Sequence, residues 1–198
     1  MAFMRNNLWF SFGRRFFRVG TGLVLNDRGD GVQSEVYTPC GNFTIFGMYT
    51  GLFFKDSNPY YVSTPDKADG ARRIFTGMTY EKSIYNHSVY LFGMGQIDMG
   101  KEDAGTQTRY QSQYWGVGGK GTVEDNIAYY IEGFGETGKS YLNGTSKQKN
   151  ILAWGGTAGI NYYLKGEMSP VVQFQYSCGS GDKSRDYTDK ATGNTGGR

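Results

Sequence analysis

The stretch Asn150–Leu164, NILAWGGTAGINYYL, alternates large apolar residues with small or polar ones. In an extended strand, Leu152 and Trp154 fall on one face, and Thr157 and Asn161 fall on the other. One apolar face and one mixed face suit a strand that lies between lipid and a water-filled lumen. This stretch therefore predicts a strand of an outer-membrane β-barrel.

The same alternation recurs along the chain and predicts about nine antiparallel strands. The predicted strands are Leu8–Arg15, Val32–Thr38, Phe43–Phe54, Arg73–Lys82, Val89–Met99, Thr108–Gly118, Ile127–Glu136, Asn150–Leu164 and Pro170–Cys178.

The predicted connections alternate in length, as in barrels with short periplasmic turns and long external loops. The short ones are Pro39–Asn42, Ser83–Ser88, Gly119–Asn126 and Lys165–Ser169. The others, mostly longer and rich in Gly, Asp, Lys, Asn and Thr, are Phe16–Gly31, Lys55–Arg72, Gly100–Gln107 and Thr137–Lys149.

Composition agrees with strands and disfavours membrane helices. Hydrophobic residues make up 38% of the 198 residues, with 31 Gly, 16 Tyr and 13 Phe. No window approaches the roughly 20 apolar residues of a spanning helix, whereas a spanning strand needs only about 9 to 11 residues. The net charge of +3 is scattered, so no nucleic-acid partner is expected.

These patterns predict an all-β fold, an antiparallel transmembrane β-barrel in which residues 1–198 form one domain. Met1–Asn7 lacks the apolar core of a secretory leader, and Asp182–Arg198 is loop-like rather than a closing strand. We therefore expect a piece that is incomplete at both ends, about half of a barrel of roughly 16 to 18 strands.

The segment from Phe12 to Val32 carries a family resemblance. Phe12-Gly13-Arg14-Arg15-Phe16-Phe17-Arg18-Val19-Gly20, followed by Asn26-Asp27-Arg28-Gly29-Asp30-Gly31-Val32, resembles the alginate export family of outer-membrane porins. The resembling features are a Gly-Arg strand segment, a later Gly and an Asp-Gly loop. They assign motif positions to Gly13, Gly20, Asp30 and Gly31, while Arg15 stands where the family favours Gln.

The resemblance implies a monomeric barrel in the bacterial outer membrane that passes an anionic polysaccharide through an Arg-containing lumen. Guanidinium groups bind carboxylates with two parallel hydrogen bonds, and repeated weak sites let a chain slide. Arg14 follows from the motif, and Arg15, Arg18 and Arg28 are added as its neighbours. Strict alternation from Phe12 points Arg14 outward, so an inward Arg14 requires a bulge at Gly13 or a position above the lipid.

Alternation alone predicts further lumen residues, because a charge facing lipid is costly. They are Arg73, Glu81, Asp98, Arg109, Glu132 and Glu136. Their mixed signs favour internal ion pairs for each of them, and a selective path is the other interpretation. Arg73, Arg109 and Glu132 are retained as pore-lining candidates.

Tyrosine and tryptophan have two interpretations. Those near strand ends, such as Tyr110, Trp154 and Tyr162, suit an interfacial girdle or core packing. A track on which sugars stack is the alternative.

Other chemistry is disfavoured. Gly133-Phe134-Gly135-Glu136-Thr137-Gly138-Lys139-Ser140 fits the phosphate-loop pattern, but a turn rather than a helix follows, so a surface loop is predicted. Cys40 and Cys178 are expected at opposite rims and unpaired, and His87 lacks a nucleophile and an acid. No catalytic residue, metal site or cofactor is expected.

The sequence thus favours an outer-membrane channel rather than an enzyme, with outer-membrane lipid and an anionic polysaccharide or a small solute as partners. A general solute porin and a soluble β-barrel carbohydrate-binding module are the alternatives.

Overall fold

Ten β-strands account for the regular structure of the residues described here. The computed structural model describes residues 2–5, 7–50, 72–99, 109–124, 126–141, 148–166 and 169–180. In chain order the strands are β1 (Ala2–Arg5), β2 (Leu8–Val19), β3 (Leu25–Thr38), β4 (Gly41–Tyr49), β5 (Arg73–Ile84), β6 (His87–Asp98), β7 (Tyr110–Val123), β8 (Ile127–Tyr141), β9 (Gln148–Tyr163) and β10 (Val171–Gly179).

The strands form one open antiparallel sheet in which each strand pairs with its neighbours in sequence. The order is β1 to β10 without a crossover, so every connection is a hairpin. This confirms the predicted all-β, antiparallel class and is consistent with part of a β-barrel. No helix in the described ranges is both long and apolar enough to cross a membrane.

Strand boundaries differ from the predicted ones in three places. β1 was not predicted. The loop predicted over Phe16–Gly31 is wrong, because β2 and β3 continue as a paired hairpin as far as Val19 and Leu25. β8 likewise runs through the Gly133–Ser140 string, so the predicted surface loop is wrong there.

The turn predicted over Gly119–Asn126 is shorter than expected, because β7 continues to Val123 in pairing with β8. The other strand predictions are confirmed to within a few residues, apart from segments that lie outside the described residues. Those segments include the end of the strand predicted to reach Phe54, most of the Lys55–Arg72 and Gly100–Gln107 loops, and the tail predicted over Asp182–Arg198.

Burial separates an inner face of the sheet from an outer face. Along β6, the even-numbered residues Tyr90, Phe92 and Met94 are buried, whereas the odd-numbered residues Leu91 and Ile97 are exposed. Residues that are register partners on neighbouring strands lie on the same face of the sheet. The inner and outer faces defined on β6 therefore extend to β5 and β7. In the described part of β4–β10, the only charged residues on the outer face are Lys82 and Lys139, which lie near opposite strand ends.

Inward aromatic rings lie over glycines on the adjacent strand. In each pair the two residues are register partners, and a Cβ atom on the glycine would overlap the ring. The five pairs are Phe46 with Gly77, Phe92 with Gly116, Tyr90 with Gly118, Phe134 with Gly155, and Tyr130 with Gly159. Because glycine has no side chain, each ring can lie flat on the sheet, which explains why glycine and aromatic residues are abundant together.

The outer half of the β2–β3 hairpin, residues 14–29, leaves the sheet and folds over the inner face; we call it the arm. β3 pairs with β4 from Asp30 onward, so within the described part of the chain the strands of the arm pair only with each other. The bend lies at Gly13, whose φ is +109°, opposite Gly31, where a Cβ atom would overlap the β4 backbone.

The arm adds its apolar side chains to the buried core. Phe17, Val19, Val24 and Leu25 of the arm cluster with inward residues of β4–β7. The Phe17 ring lies 5.8 Å from the ring of Phe46, centroid to centroid. Burial of these side chains stabilises the inward position of the arm.

Because these rings pack directly on glycines, we expect substitution of such a glycine to destabilise the protein. In Gly116→Ala the new Cβ atom would lie 2.5 Å from Phe92 Cζ and 2.8 Å from the Gly133 carbonyl oxygen. We expect overpacking to lower the free energy of unfolding by about 1–3 kcal/mol, measured by urea denaturation followed by tryptophan fluorescence.

The matched control is Gly95→Ala on β6, where no atom lies within 4 Å of the added Cβ. It should change stability by less than about 1 kcal/mol. Equal destabilisation by the two substitutions would show that the Phe92 ring does not depend on Gly116.

Candidate functional site

The tip of the arm is held by the carboxylate of Glu132, an inward residue of β8 that is only 2% exposed. The Thr21 backbone N–H donates to Glu132 Oε2 at 2.6 Å, and the Thr21 hydroxyl donates to Oε1 at 2.8 Å. The Tyr90 hydroxyl donates to Oε2 at 2.7 Å. Three donors therefore satisfy the buried carboxylate, and the two from Thr21 attach the arm to β8.

Arg18 secures the same turn from within the arm. Its Nη2 donates to the Thr21 carbonyl oxygen at 2.6 Å, so Arg18 and Glu132 contact opposite polar groups of one residue. Gly20 has a φ of +56°, and a Cβ atom there would overlap the Glu132 carboxylate. Glycine at this motif position allows both the turn and the close approach.

Beneath the arm lies a cavity of about 930 Å³, which we call the chamber. The arm tip, from Gly20 to Leu23, borders it on one side. Its walls come from β3 to β10: Gln33 of β3 and Gln175 of β10 line the same space. The described strands therefore curve around this cavity, which the arm tip narrows.

The chamber walls are polar, with few charges. Glu81 and Lys120 form an ion pair, 3.0 Å between Nζ and Oε1, near the short turns. The Lys120 ammonium also lies 5.9 Å from the centre of the Tyr90 ring. Uncharged lining side chains include Gln33, Thr44, Thr79, Thr157, Gln173 and Gln175.

A second inward polar group lies toward the opposite strand ends. Arg73 and Asp98 are register partners on β5 and β6, and both are buried. The Tyr110 N–H donates to Asp98 Oδ2 at 3.3 Å, and the Tyr110 hydroxyl donates to Glu136. Arg73 is therefore buried between strands at this end of the sheet and does not line the chamber.

The predicted pore-lining residues do not form one ladder. Arg14 forms a 3.3 Å ion pair with Asp30, and the Arg15 guanidinium lies 4.9 Å from the Trp9 ring and 5.6 Å from the Phe17 ring. Arg18 lines the chamber. The others are dispersed: Arg28 is exposed on the arm, Arg73 is buried at the far strand ends, and Arg109 is exposed just before β7.

Glu132 is inward, as predicted, and Glu81, Asp98 and Glu136 share its face. The bulge that would turn Arg14 inward is absent, because β2 and β3 pair residue for residue from Leu8 to Val19. Instead of a bulge, the hairpin has a bend at Gly13 and Gly31, where the arm leaves the sheet. The motif glycines thus position the arm.

Aromatic residues divide between the two faces. Trp115, Trp154 and Tyr162 lie exposed on the outer face, whereas Tyr110 and Tyr114 are buried on the inner one. Tyr90 and Tyr130 line the chamber. The structural role of Tyr90 was missed by sequence reasoning, although alternation on β6 already places it beside Phe92 and Met94.

The remaining chemical motifs lack supporting geometry. The phosphate-loop string is extended strand, without the helix N-terminus that binds phosphate. Cys40 and Cys178 are free and exposed. Among the residues described, no group of three or more His, Cys, Asp or Glu side chains is placed to hold a metal ion.

Comparison with models of protein families, with curated proteins and with solved structures finds no match for this chain. The resemblance of the Phe12–Val32 segment to the alginate export family therefore stays a prediction.

The attachment of the arm predicts a large effect of Glu132→Ala. The substitution leaves the Thr21 N–H and the Tyr90 hydroxyl without their acceptor, so we expect a loss of at least about 2 kcal/mol in stability. The Thr21 amide should exchange its hydrogen much faster. Thr21→Val, which keeps the backbone hydrogen bond, should cost about 1 kcal/mol.

The control is Glu81→Ala, which removes an inward carboxylate whose ion pair is partly exposed. It should cost no more than about 1 kcal/mol and leave exchange at Thr21 unchanged. Unaltered Thr21 exchange in Glu132→Ala would contradict the role of Glu132 as the anchor of the arm.

Proposed function

We propose that this chain forms part of a membrane-spanning β-barrel channel whose lumen is narrowed by the arm. The observation that carries the proposal is the separation of side chains between faces. On β4–β10 the described outer face is apolar and exposed between its ends, while Arg73, Asp98, Glu132 and Glu136 face inward. In water an exposed apolar face of this extent is unfavourable, whereas lipid accommodates it.

The chamber supports a transport role. Its polar walls suit an aqueous path, and the arm borders it without sealing it into the apolar core. In this proposal the edges at β1 and β10 are paired in a closed barrel, because unpaired backbone groups are not tolerated in lipid. The larger barrel of roughly 16 to 18 strands and the outer-membrane location remain parts of the proposal.

The polysaccharide substrate is a second, narrower proposal. Arg18 and Lys120 line the chamber and supply cationic groups to an anionic chain. Arg14, the principal candidate, is engaged by Asp30, so a polyuronate would have to displace that carboxylate. A general solute porin requires no such exchange, and the geometry supports it better.

Two lysine substitutions on β7 test membrane insertion. Val117 is 51% exposed on the outer face, and Gln111 lies on the same face six residues away, roughly 20 Å along the strand. For protein folded into lipid vesicles, Val117→Lys should cost about 2–4 kcal/mol and Gln111→Lys about 0–1 kcal/mol, because the penalty depends on depth.

Urea titration of the vesicle-bound protein measures both values. If the protein instead folds without lipid or detergent and Val117→Lys changes its stability by less than about 0.5 kcal/mol, as at a water-facing site, the membrane proposal fails. The soluble carbohydrate-binding module is then the better account.

Conductance tests the channel itself. The full chain, reconstituted in a planar bilayer, should conduct ions, and Glu132→Ala should raise the single-channel conductance because the released arm no longer narrows the lumen. Thr21→Val should raise it less, and Gln111→Ala on the outer face should leave it unchanged. Membrane insertion without any conductance would contradict a channel.

A further inference from the structure

The chamber is lined mainly by side chains that form hydrogen bonds without carrying charge. Gln173 and Gln175 project from β10, Gln33 from β3, and the threonines 44 and 79 from β4 and β5. An amide side chain both donates and accepts, and a threonine hydroxyl does the same. Such walls match a solute that presents donors and acceptors together.

The few charges around the chamber are compensated. Lys120 is paired with Glu81, and the two positive groups, Arg18 and Lys120, are balanced by Glu81 and Glu132. Arg18 already donates to the Thr21 carbonyl oxygen. Among the described residues around the chamber, positive charge is therefore not in excess, so they offer no net attraction to a polyanion.

Aromatic side chains complete the lining. Tyr90 is anchored through its hydroxyl to Glu132, and Tyr130 packs over Gly159. Both are therefore held in place on the inner face. Rigid aromatic groups beside a few placed polar groups are typical of small-molecule sites, and 930 Å³ lies within the usual range for them.

We infer that the chamber binds a neutral, polyhydroxylated solute of the size of a short oligosaccharide, in preference to an anionic one. Sugar hydroxyls both donate and accept, as the glutamine and threonine side chains do, and the sugar ring faces suit tyrosine. The inference rests on the proposed channel and names the class of solute that its lumen holds.

Calorimetric titration of the full chain in detergent tests the inference, with maltotriose and trigalacturonate as probes of matched length. Maltotriose should bind more tightly, and its affinity should be insensitive to salt, because no charge pairing contributes. In a planar bilayer, maltotriose should also block the current more strongly than trigalacturonate does.

Variants locate the binding. Gln175→Ala and Thr79→Val change lining residues on two separate strands, β10 and β5. Each should weaken maltotriose binding about three- to tenfold, as expected for the loss of one or two hydrogen bonds. Gln111→Ala removes an outer-face amide from β7 and should leave the affinity unchanged. Gln175 is exposed on the edge strand, so its substitution should not impair folding.

The outcomes separate the inference from the channel. Tighter, salt-sensitive binding of trigalacturonate would overturn the inference and favour an anionic polysaccharide, and so would the absence of maltotriose binding in a conducting protein. If Gln111→Ala weakened maltotriose binding as much as the chamber variants do, the assignment of the binding site to the chamber would be overturned. Maltotriose binding by a protein that never conducts would overturn the channel while supporting the chamber as a sugar site.

Discussion

The unbroken antiparallel register from β1 to β10 is the constraint on which the other features depend. Side chains alternate between the faces of a strand, so a slip of one residue would exchange the faces completely. With the observed register, Leu91 pairs with Val117 on the outer face and Tyr90 pairs with Gly118 on the inner face. Both the apolar exterior and the polar chamber follow from this pairing.

Glycine has two separate functions in this sheet. Gly116, Gly118 and Gly159 leave space for aromatic rings that would otherwise stand away from the strands. Gly13 and Gly20 instead adopt positive φ values, where the arm bends and where it turns. The first function lets aromatic rings pack closely on the inner face of the sheet. The second lets the arm fold across that face. Both reduce the space that the inner face encloses.

Glu132 links the fold to the proposed function. A buried carboxylate is costly without partners. Tyr90 donates to Glu132 from β6, and the two donors of Thr21 offset the remaining cost only while the arm stays inward. The same contact determines the boundary of the chamber. The Glu132 carboxylate, which the sequence suggests as a selectivity charge, thus acts in the structure as an attachment point for the arm. In the proposed channel, uncharged side chains are left to contact the solute.

Alternation of residue types was sufficient to predict most strands, the antiparallel class and the inward direction of Arg73, Glu81, Asp98, Glu132 and Glu136. These features are local, because a period of two and the cost of exposing charge to lipid are properties of each strand alone. The predicted loop over Phe16–Gly31 failed because its Gly, Asp and Asn residues favour turns locally, while pairing with the opposite strand overrides that preference.

Only the tertiary structure decided what the inward residues contact. Thr21 and Glu132 are 111 positions apart, and no local pattern relates them. The partners of Arg14, Arg15 and Arg18 likewise depend on where the arm folds. Sequence periodicity determines which way a side chain points, because that direction is set within one strand. Which side chains meet depends on curvature of the sheet and bending at Gly13, which arise only when all strands are assembled.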